Sequence, residues 1–291
     1  MIDTGLRDKV VLVTGANNPH GIGAAVARAF ATQRAKVFLH YLRDKRPTQG
    51  CASTASPGEA FYRTQQTKDA QEVLKSIGDI GGEAHAWEAD LSDVRATRTL
   101  FDEAERAVGS VSVLVNNAAH WEGDTFLPTG ADLPNRLHEL WTERPNQISA
   151  QSFERIFNIN TRAPVLLMAE FARRHIERRA ARGCIVNVST DGAHCFPSEI
   201  SYGASKFALE SYTRSAAKEL GPSGIAVNAV SLGPVQTGWI TPELEREILP
   251  TIPLGKIGTP EDVADVIVFL ASDQALWVTG QTICIGGGHR M

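Results

Sequence analysis

Cysteine is scarce: the 291 residues include only Cys51, Cys184, Cys195 and Cys284, with no Cys-x-x-Cys or His-coupled spacing. Neither a zinc site nor a disulfide framework is indicated, so no metal is expected and the thiols read as reduced and mostly buried. Long apolar runs are missing too, and none approaches the ~18–20 residues needed to span a bilayer. The opening stretch "MIDTGLRDKVVLVTG" lacks the apolar core and cleavage site of a signal peptide, so a cytoplasmic protein without a membrane partner is expected. There is no excess of positive charge either: 29 Lys and Arg stand against 33 Asp and Glu, for a net charge of −4. A nucleic-acid partner, which calls for a strongly basic face, is thereby disfavoured. Internal repeats and a break in composition are absent, so residues 1–291 are read as a single domain.

What the chain does contain is a regular alternation. The runs "KVVLVT", "AKVFLHY", "EAHAWEAD", "VSVLVNN", "GCIVNVST", "IAVNAVSL" and "QTICIG" are strand-like, and each but the last precedes a stretch of helical period. Apolar strands interleaved with helices predict an α/β chain with a doubly wound, Rossmann-like, seven-stranded parallel sheet and helices on both faces. In such sheets ligands bind at the carboxyl ends of the strands. Two connections exceed a simple crossover, residues 43–66 after the second strand and 120–150 after the fourth. Both are read as long loops. The second carries Trp121, Phe126, Leu133, Leu137 and Trp141, which could wall a substrate pocket or pack on a flank.

The first strand runs into "TGANNPHGIGAAVARAFA". Gly15, Gly21 and Gly23 stand between strand and helix, where the chain must turn tightly and let a pyrophosphate approach the helix amino terminus. At the end of the second strand, "VFLHYLRDKR" puts Tyr41 where an acid would hold the ribose hydroxyls of NAD. Arg43, Lys45 and Arg46 follow, as suits the 2′-phosphate of NADP. NADP is the expected cofactor, with NAD kept open by Asp44.

In "SYGASKFALESY", Tyr202 and Lys206 stand four residues apart at the start of a helical stretch, a spacing that places both on one face. A phenol of ordinary pKa, about 10, is poorly matched to proton exchange near neutrality. A neighbouring ammonium favours the phenolate, so Lys206 is expected to pull the Tyr202 pKa down. A strand-end hydroxyl should also hydrogen-bond the substrate oxygen. Both Thr190 and Ser189 qualify. Strand register favours Thr190, whereas the interval to Tyr202 favours Ser189.

These motifs, together with "NNAA" at 116–119 and "NIN" ending at Asn160, resemble in content and order those of the short-chain dehydrogenases/reductases over the whole chain. "GPVQTGWITPEL" and the following "GKIGTPEDVADVIVFLASDQALWVTGQTI" are similar to the branch of 3-oxoacyl-acyl-carrier-protein reductases. The resemblance implies hydride transfer between a nicotinamide and a small-molecule carbonyl or alcohol, in a homotetramer or homodimer. It implies a cofactor site of Gly15, Asn17, Gly21, Ile22, Gly23, Tyr41, Arg43, Asp90, Leu91, Asn117, Ala118, Pro234, Val235 and Thr237. Asn160 would hold a water in a proton relay behind Lys206, which itself would hold the nicotinamide ribose. His194 and Trp239 are candidate pocket walls. An NAD-dependent sugar or steroid dehydrogenase, and a non-catalytic dinucleotide-binding regulator, are the rival readings. Two departures stand out: five residues, Ala16 to His20, separate the first two glycines where three are usual, and Ala119 and Gly286 replace the usual glycine and aspartate.

Overall fold

The computed structural model describes residues 3–44, 56–141 and 143–290. Lys45, Arg46 and Cys51 lie outside the described residues. In chain order the first half forms β1 (Val10–Thr14), α1 (Ile22–Thr32), β2 (Lys36–Tyr41), α2 (Glu59–Gln66), α3 (Gln71–Asp79), β3 (Glu83–Glu88), α4 (Val94–Val108) and β4 (Val111–Asn116). The short strands β5 (Asp124–Thr125) and β6 (Asn146–Gln147) follow, then α5 (Ala150–Phe157), α6 (Ala163–Glu177), β7 (Gly183–Thr190) and α7 (Ile200–Leu220). The chain ends with β8 (Ile225–Leu232), α8 (Pro242–Ile248), α9 (Pro260–Ala271) and β9 (Thr282–Ile285).

The seven expected strands make one sheet in the order β3-β2-β1-β4-β7-β8-β9, and every neighbouring pair is parallel. Because the chain winds outward in one direction from β1 and in the other from β4, a crevice opens at the carboxyl ends of these two strands. Periodicity explains the layers. In β1, Val11 and Val13 face a core that includes Phe30 of α1 and Ile267 of α9, while Val10 and Leu12 face one that includes Leu100 of α4 and Phe171 of α6. Residues of alternating direction thus both find apolar cover, which is why the strand reads as unbroken hydrophobicity. Full burial of each such side chain stabilises the fold by about 1.5–3 kcal/mol relative to leaving it exposed. β3 is an edge strand and correspondingly half-buried.

Three expectations are corrected. The segment 43–66 is not loop to its end: Glu59–Gln66 is the helix α2, held by an ion pair between Glu59 and Arg63 one turn apart. Its mean hydropathy is low and only Gln65 is buried, so it left no apolar stripe to read. Residues 120–150 contain the parallel β5–β6 pair and a 3₁₀ turn over Arg136–Leu140. Among the described cysteines only Cys184 is buried, whereas Cys195 and Cys284 are exposed. Between α5 and α6 the helix widens into a π-turn over Asn158–Arg162. No helix among the described residues is long and apolar enough to cross a membrane, and they hold no cluster of acidic, histidine or cysteine side chains suited to a metal.

Candidate active site

The glycine loop closes on the end of β4. Thr14 at the end of β1 accepts hydrogen bonds on Oγ1 from the backbone N–H groups of Asn117 and Ala118, at 3.0 and 2.9 Å. The Asn117 amide in turn donates to the carbonyls of Thr14 and Gly15, both at 2.9 Å. A Cβ on Gly15 would come within 2.7 Å of Ala118 Cα, and Gly15 already has a φ of +71°. A Cβ on Gly23 would meet the Gly15 carbonyl oxygen at 2.4 Å. The bare backbone therefore runs close to α1, whose N-cap Gly21 supplies no side-chain cap and whose first turn holds no acid. Such a helix start leaves N–H groups and a positive dipole end for a phosphate, and a dinucleotide fits there.

The lengthened part of the loop is tied inward. Asn17 donates to the carbonyls of Gln66 and Lys68 at 3.2 and 2.8 Å, so its side chain braces the end of α2. Asn18 donates to Thr237 O at 3.4 Å and joins the loop to the segment after β8. That segment, with half-buried Pro234, Val235 and Thr237, is fixed by a bridge between Val235 and Gly258. Ile22, the first residue of α1, packs against the apolar core of that face.

At the far end of the crevice Tyr41 closes β2. Arg43 is already engaged by Glu88 of β3, with Nη2 to Oε2 at 2.6 Å. Asp90 accepts from the Ser92 N–H at 2.8 Å, and the cap of α4 is Asp93 instead. Leu91 beside it is buried.

The centre of the site lies where α7 starts beneath the end of β7. Tyr202 and Lys206 share a face, with Lys206 Nζ 5.8 Å from the phenol ring centre. Lys206 is 2% exposed and donates to Val188 O at 2.8 Å; burial pulls its pKa down to about 8. The Tyr202 pKa runs against expectation. It is raised, first by burial and then by the nearby Glu199, Tyr62 and Asp191. Desolvation disfavours the phenolate, and three further acids nearby add to it. Asn160, fully buried in the π-turn, accepts from His120 N–H at 2.8 Å and donates to His120 O and Ser205 Oγ. It therefore ties the end of β4 to α7.

The two hydroxyls separate. Ser189 donates to the buried Glu210 at 2.6 Å. Thr190, its neighbour on the strand, only accepts from Gly192 N–H at 3.3 Å, which leaves its proton for a substrate oxygen. Thr190→Val is therefore expected to lower turnover at least tenfold, and Ser189→Ala to act mainly on stability. Steady-state rates and thermal melts of both variants check this, and the reverse ranking would assign the role to Ser189.

Sequence reasoning missed four residues around Tyr202. Glu199, the N-cap of α7, is 8% exposed and accepts from Trp121 Nε1 at 2.5 Å. Tyr62 comes from α2. Asp191 pairs with His289 at 2.5 Å, and Arg290 lies over Phe196, its guanidinium 5.0 Å from the ring centre. The one signal for Glu199 was its place three residues before Tyr202. Of the expected pocket walls, Trp121 packs edge-on against both Trp141 and Trp239. Leu133 is buried, Phe126 is 72% exposed, and the exposed His194 packs on Phe207.

Comparison with known proteins bears on this arrangement. A family model described as enoyl-(acyl carrier protein) reductase matches residues 50–290. The uncharacterized oxidoreductase YjdA of Bacillus subtilis is 34% identical over 285 residues, 97% of each chain. A short-chain type dehydrogenase/reductase from Mycobacterium marinum superposes with a TM-score of 0.77 at 25% identity, over 99% of both chains. The chain belongs to the short-chain dehydrogenase/reductase family. As a short-chain dehydrogenase/reductase it is an oxidoreductase that acts on CH–OH groups with NAD(P) and takes a small-molecule substrate. A further similar relative, at 30% identity over 97% of this chain and 95% of its own, is the hydroxynaphthalene reductase-like protein Arp2 of Metarhizium robertsii.

Proposed function

We propose that this enzyme is an NADP-dependent carbonyl reductase, 3-oxoacyl-reductase-like or a general ketoreductase, that interconverts a ketone and a secondary alcohol. The carrying observation is a half-buried Tyr202 and a buried Lys206 side by side on one face of α7 beside the end of β7. A bound nicotinamide supplies or accepts the hydride. Tyr202 gives its phenolic proton to the oxygen that gains charge, and Thr190 donates a hydrogen bond to the same oxygen. Lys206 holds the ribose, and its ammonium lies beside the phenol. Asn160 fixes the backbone beside it. Gly15, Gly21, Ile22 and Gly23 cradle the pyrophosphate, Asn117 and Ala118 back the cradle, and Pro234, Val235 and Thr237 lie against the nicotinamide. Asp90 and Leu91 take the adenine end, and Asn17 acts through the loop it braces. That the relative Arp2 is described as hydroxynaphthalene reductase-like supports a cyclic or aromatic carbonyl.

The choice of NADP rests on Tyr41 in the place of an acid and on Arg43 two residues on. One observation favours NAD instead: Glu88 holds Arg43, so a 2′-phosphate must compete for it. NADPH is expected to bind with a lower Kd than NADH by about tenfold, in line with one charge-assisted contact, and the gap should narrow in Arg43→Asp and at high salt. Fluorescence titration of both cofactors checks this, and equal or tighter NADH binding overturns it.

We further assign one catalytic domain, since both apolar cores share one sheet. Assembly into a homotetramer or homodimer is supported by exposed apolar side chains on two flanks, Phe153, Phe207 and Tyr212 on one, Phe269 and Trp277 on the other. Free thiols at the three described cysteines support a reducing, cytoplasmic setting.

A further inference from the structure

Glu199 neither gives nor takes the reacting proton in the reading above, yet it is one of the few carboxyl groups the fold removes from water. Its position is held on all sides. The backbone of Glu199 bridges to Asp124 of β5, and the Asp124 carboxylate accepts from Ser201 N–H at 2.9 Å. The side chain reaches toward the loop after β4, where Trp121 Nε1 occupies Oε2. No described side chain hydrogen-bonds Oε1. The remaining groups that face it are Asp124, Asp191, Arg290 and the phenol of Tyr202, which act through their fields. Of these only Arg290 favours the anion, and burial outweighs it, raising the Glu199 pKa to about 7.

A largely buried carboxylate whose second oxygen is unpartnered yet not sealed from solvent can accept from a donor that enters beside it. The surroundings say what carries that donor. Trp121 packs edge-on between Trp141, at 5.4 Å, and Trp239, at 5.7 Å, so loops after β4 and β8 form an aromatic wall beside the carboxylate. Aromatic walls favour flat ring substrates. Glu199, the N-cap of α7, lies near enough to the phenol of Tyr202 for its charge to act on it. A ring ketone whose carbonyl meets Tyr202 can then turn a ring hydroxyl toward the carboxylate, and a meta hydroxyl, neither adjacent to nor opposite the carbonyl group, is the one to probe.

We propose that Glu199 is a specificity-determining residue that accepts a hydrogen bond from a ring hydroxyl of the substrate, and that the substrate class is a flat, hydroxylated ring ketone seated on the tryptophan wall. The inference rests on the carbonyl-reductase reading above.

The test compares meta-hydroxyacetophenone with acetophenone as substrates of the full-length enzyme. The hydroxylated ketone is expected to have a kcat/KM about 10–100 times higher, the range for a hydrogen bond to a charged group. In Glu199→Gln, which keeps an acceptor for Trp121 but removes the charge, the ratio is expected to fall to within about threefold. In the unmodified enzyme the ratio should rise as Glu199 ionises, between about pH 6 and about pH 8. Equal kcat/KM for the two ketones, or a ratio that is flat with pH, overturns the proposal whether or not the variant folds. Failure to reduce either ketone or any other carbonyl would sink the reductase reading instead. Tryptophan fluorescence titration with the same pair then decides the inference alone: tighter binding of the hydroxylated ketone, lost in Glu199→Gln, upholds it, and equal binding overturns it.

Discussion

Tyr202→Phe is expected to lower carbonyl reduction by roughly two or more orders of magnitude while leaving the cofactor Kd within about twofold. The substitution deletes one hydroxyl and keeps the ring, so the packing against Phe196, 6.3 Å between ring centres, and the approach of Lys206 survive. What disappears is the proton needed by an oxygen that becomes an alkoxide. The raised pKa of Tyr202 sharpens the expectation. A phenol held protonated across the neutral range is a loaded acid for reduction, whereas oxidation of an alcohol must first strip that proton. Reduction should therefore be nearly flat around neutrality and alcohol oxidation should climb with pH. Rates in both directions, followed by cofactor absorbance, check this. Near-normal turnover of Tyr202→Phe with every active carbonyl would remove the phenol from the chemistry.

Lys206→Ala is expected to reduce turnover about a hundredfold and to weaken cofactor binding about tenfold, because one ammonium is asked to serve both tasks. The loss includes the hydrogen bond to Val188 O, which fixes the side chain beneath the end of β7. Burial has brought the Lys206 pKa to about 8, so the ammonium form dominates below that value and the amine above it. A limb of the pH profile near pH 8 in the parent enzyme should vanish in the variant. Arginine is not expected to rescue it, since a planar guanidinium cannot occupy a position that is 2% exposed without displacing its neighbours. An unchanged pH profile together with unchanged cofactor affinity would exclude Lys206 from the mechanism.

Why some of this was legible in the sequence and some was not follows from the range of the interactions. The sheet was legible because burial on both faces writes itself locally, as in "KVVLVT". The shared face of Tyr202 and Lys206 was legible because helix geometry is fixed by spacing alone. α2 was missed because it is short, polar for most of its length and half-buried, with Phe61 and Tyr62 packed on distant elements and an ion pair between Glu59 and Arg63. Ser189 and Thr190 could not be separated because the deciding contact, to Glu210, lies 21 residues away on another element. Glu199 offered only its place three residues before Tyr202, for the same reason. Its burial depends on Trp121, 78 residues earlier, and nothing in "PSEISY" announces it. The expectation of a lowered Tyr202 pKa considered the charge beside the phenol and left out the water removed from it.

The π-turn at Asn158–Arg162 makes this enzyme vulnerable to a kind of lesion that substitution scans do not sample. A π-turn holds one residue more than the surrounding helix needs, so deleting a single codon there, Ile159 for example, would let α5 and α6 run together as a regular helix. The backbone would gain in regularity. Yet the widened turn that presents Asn160 would be gone, even though α5 and α6 kept their phase. Asn160 could not then keep both His120 and Ser205. The site depends here on a count of residues as much as on their identity, and an in-frame loss of three nucleotides is the sharper genetic probe.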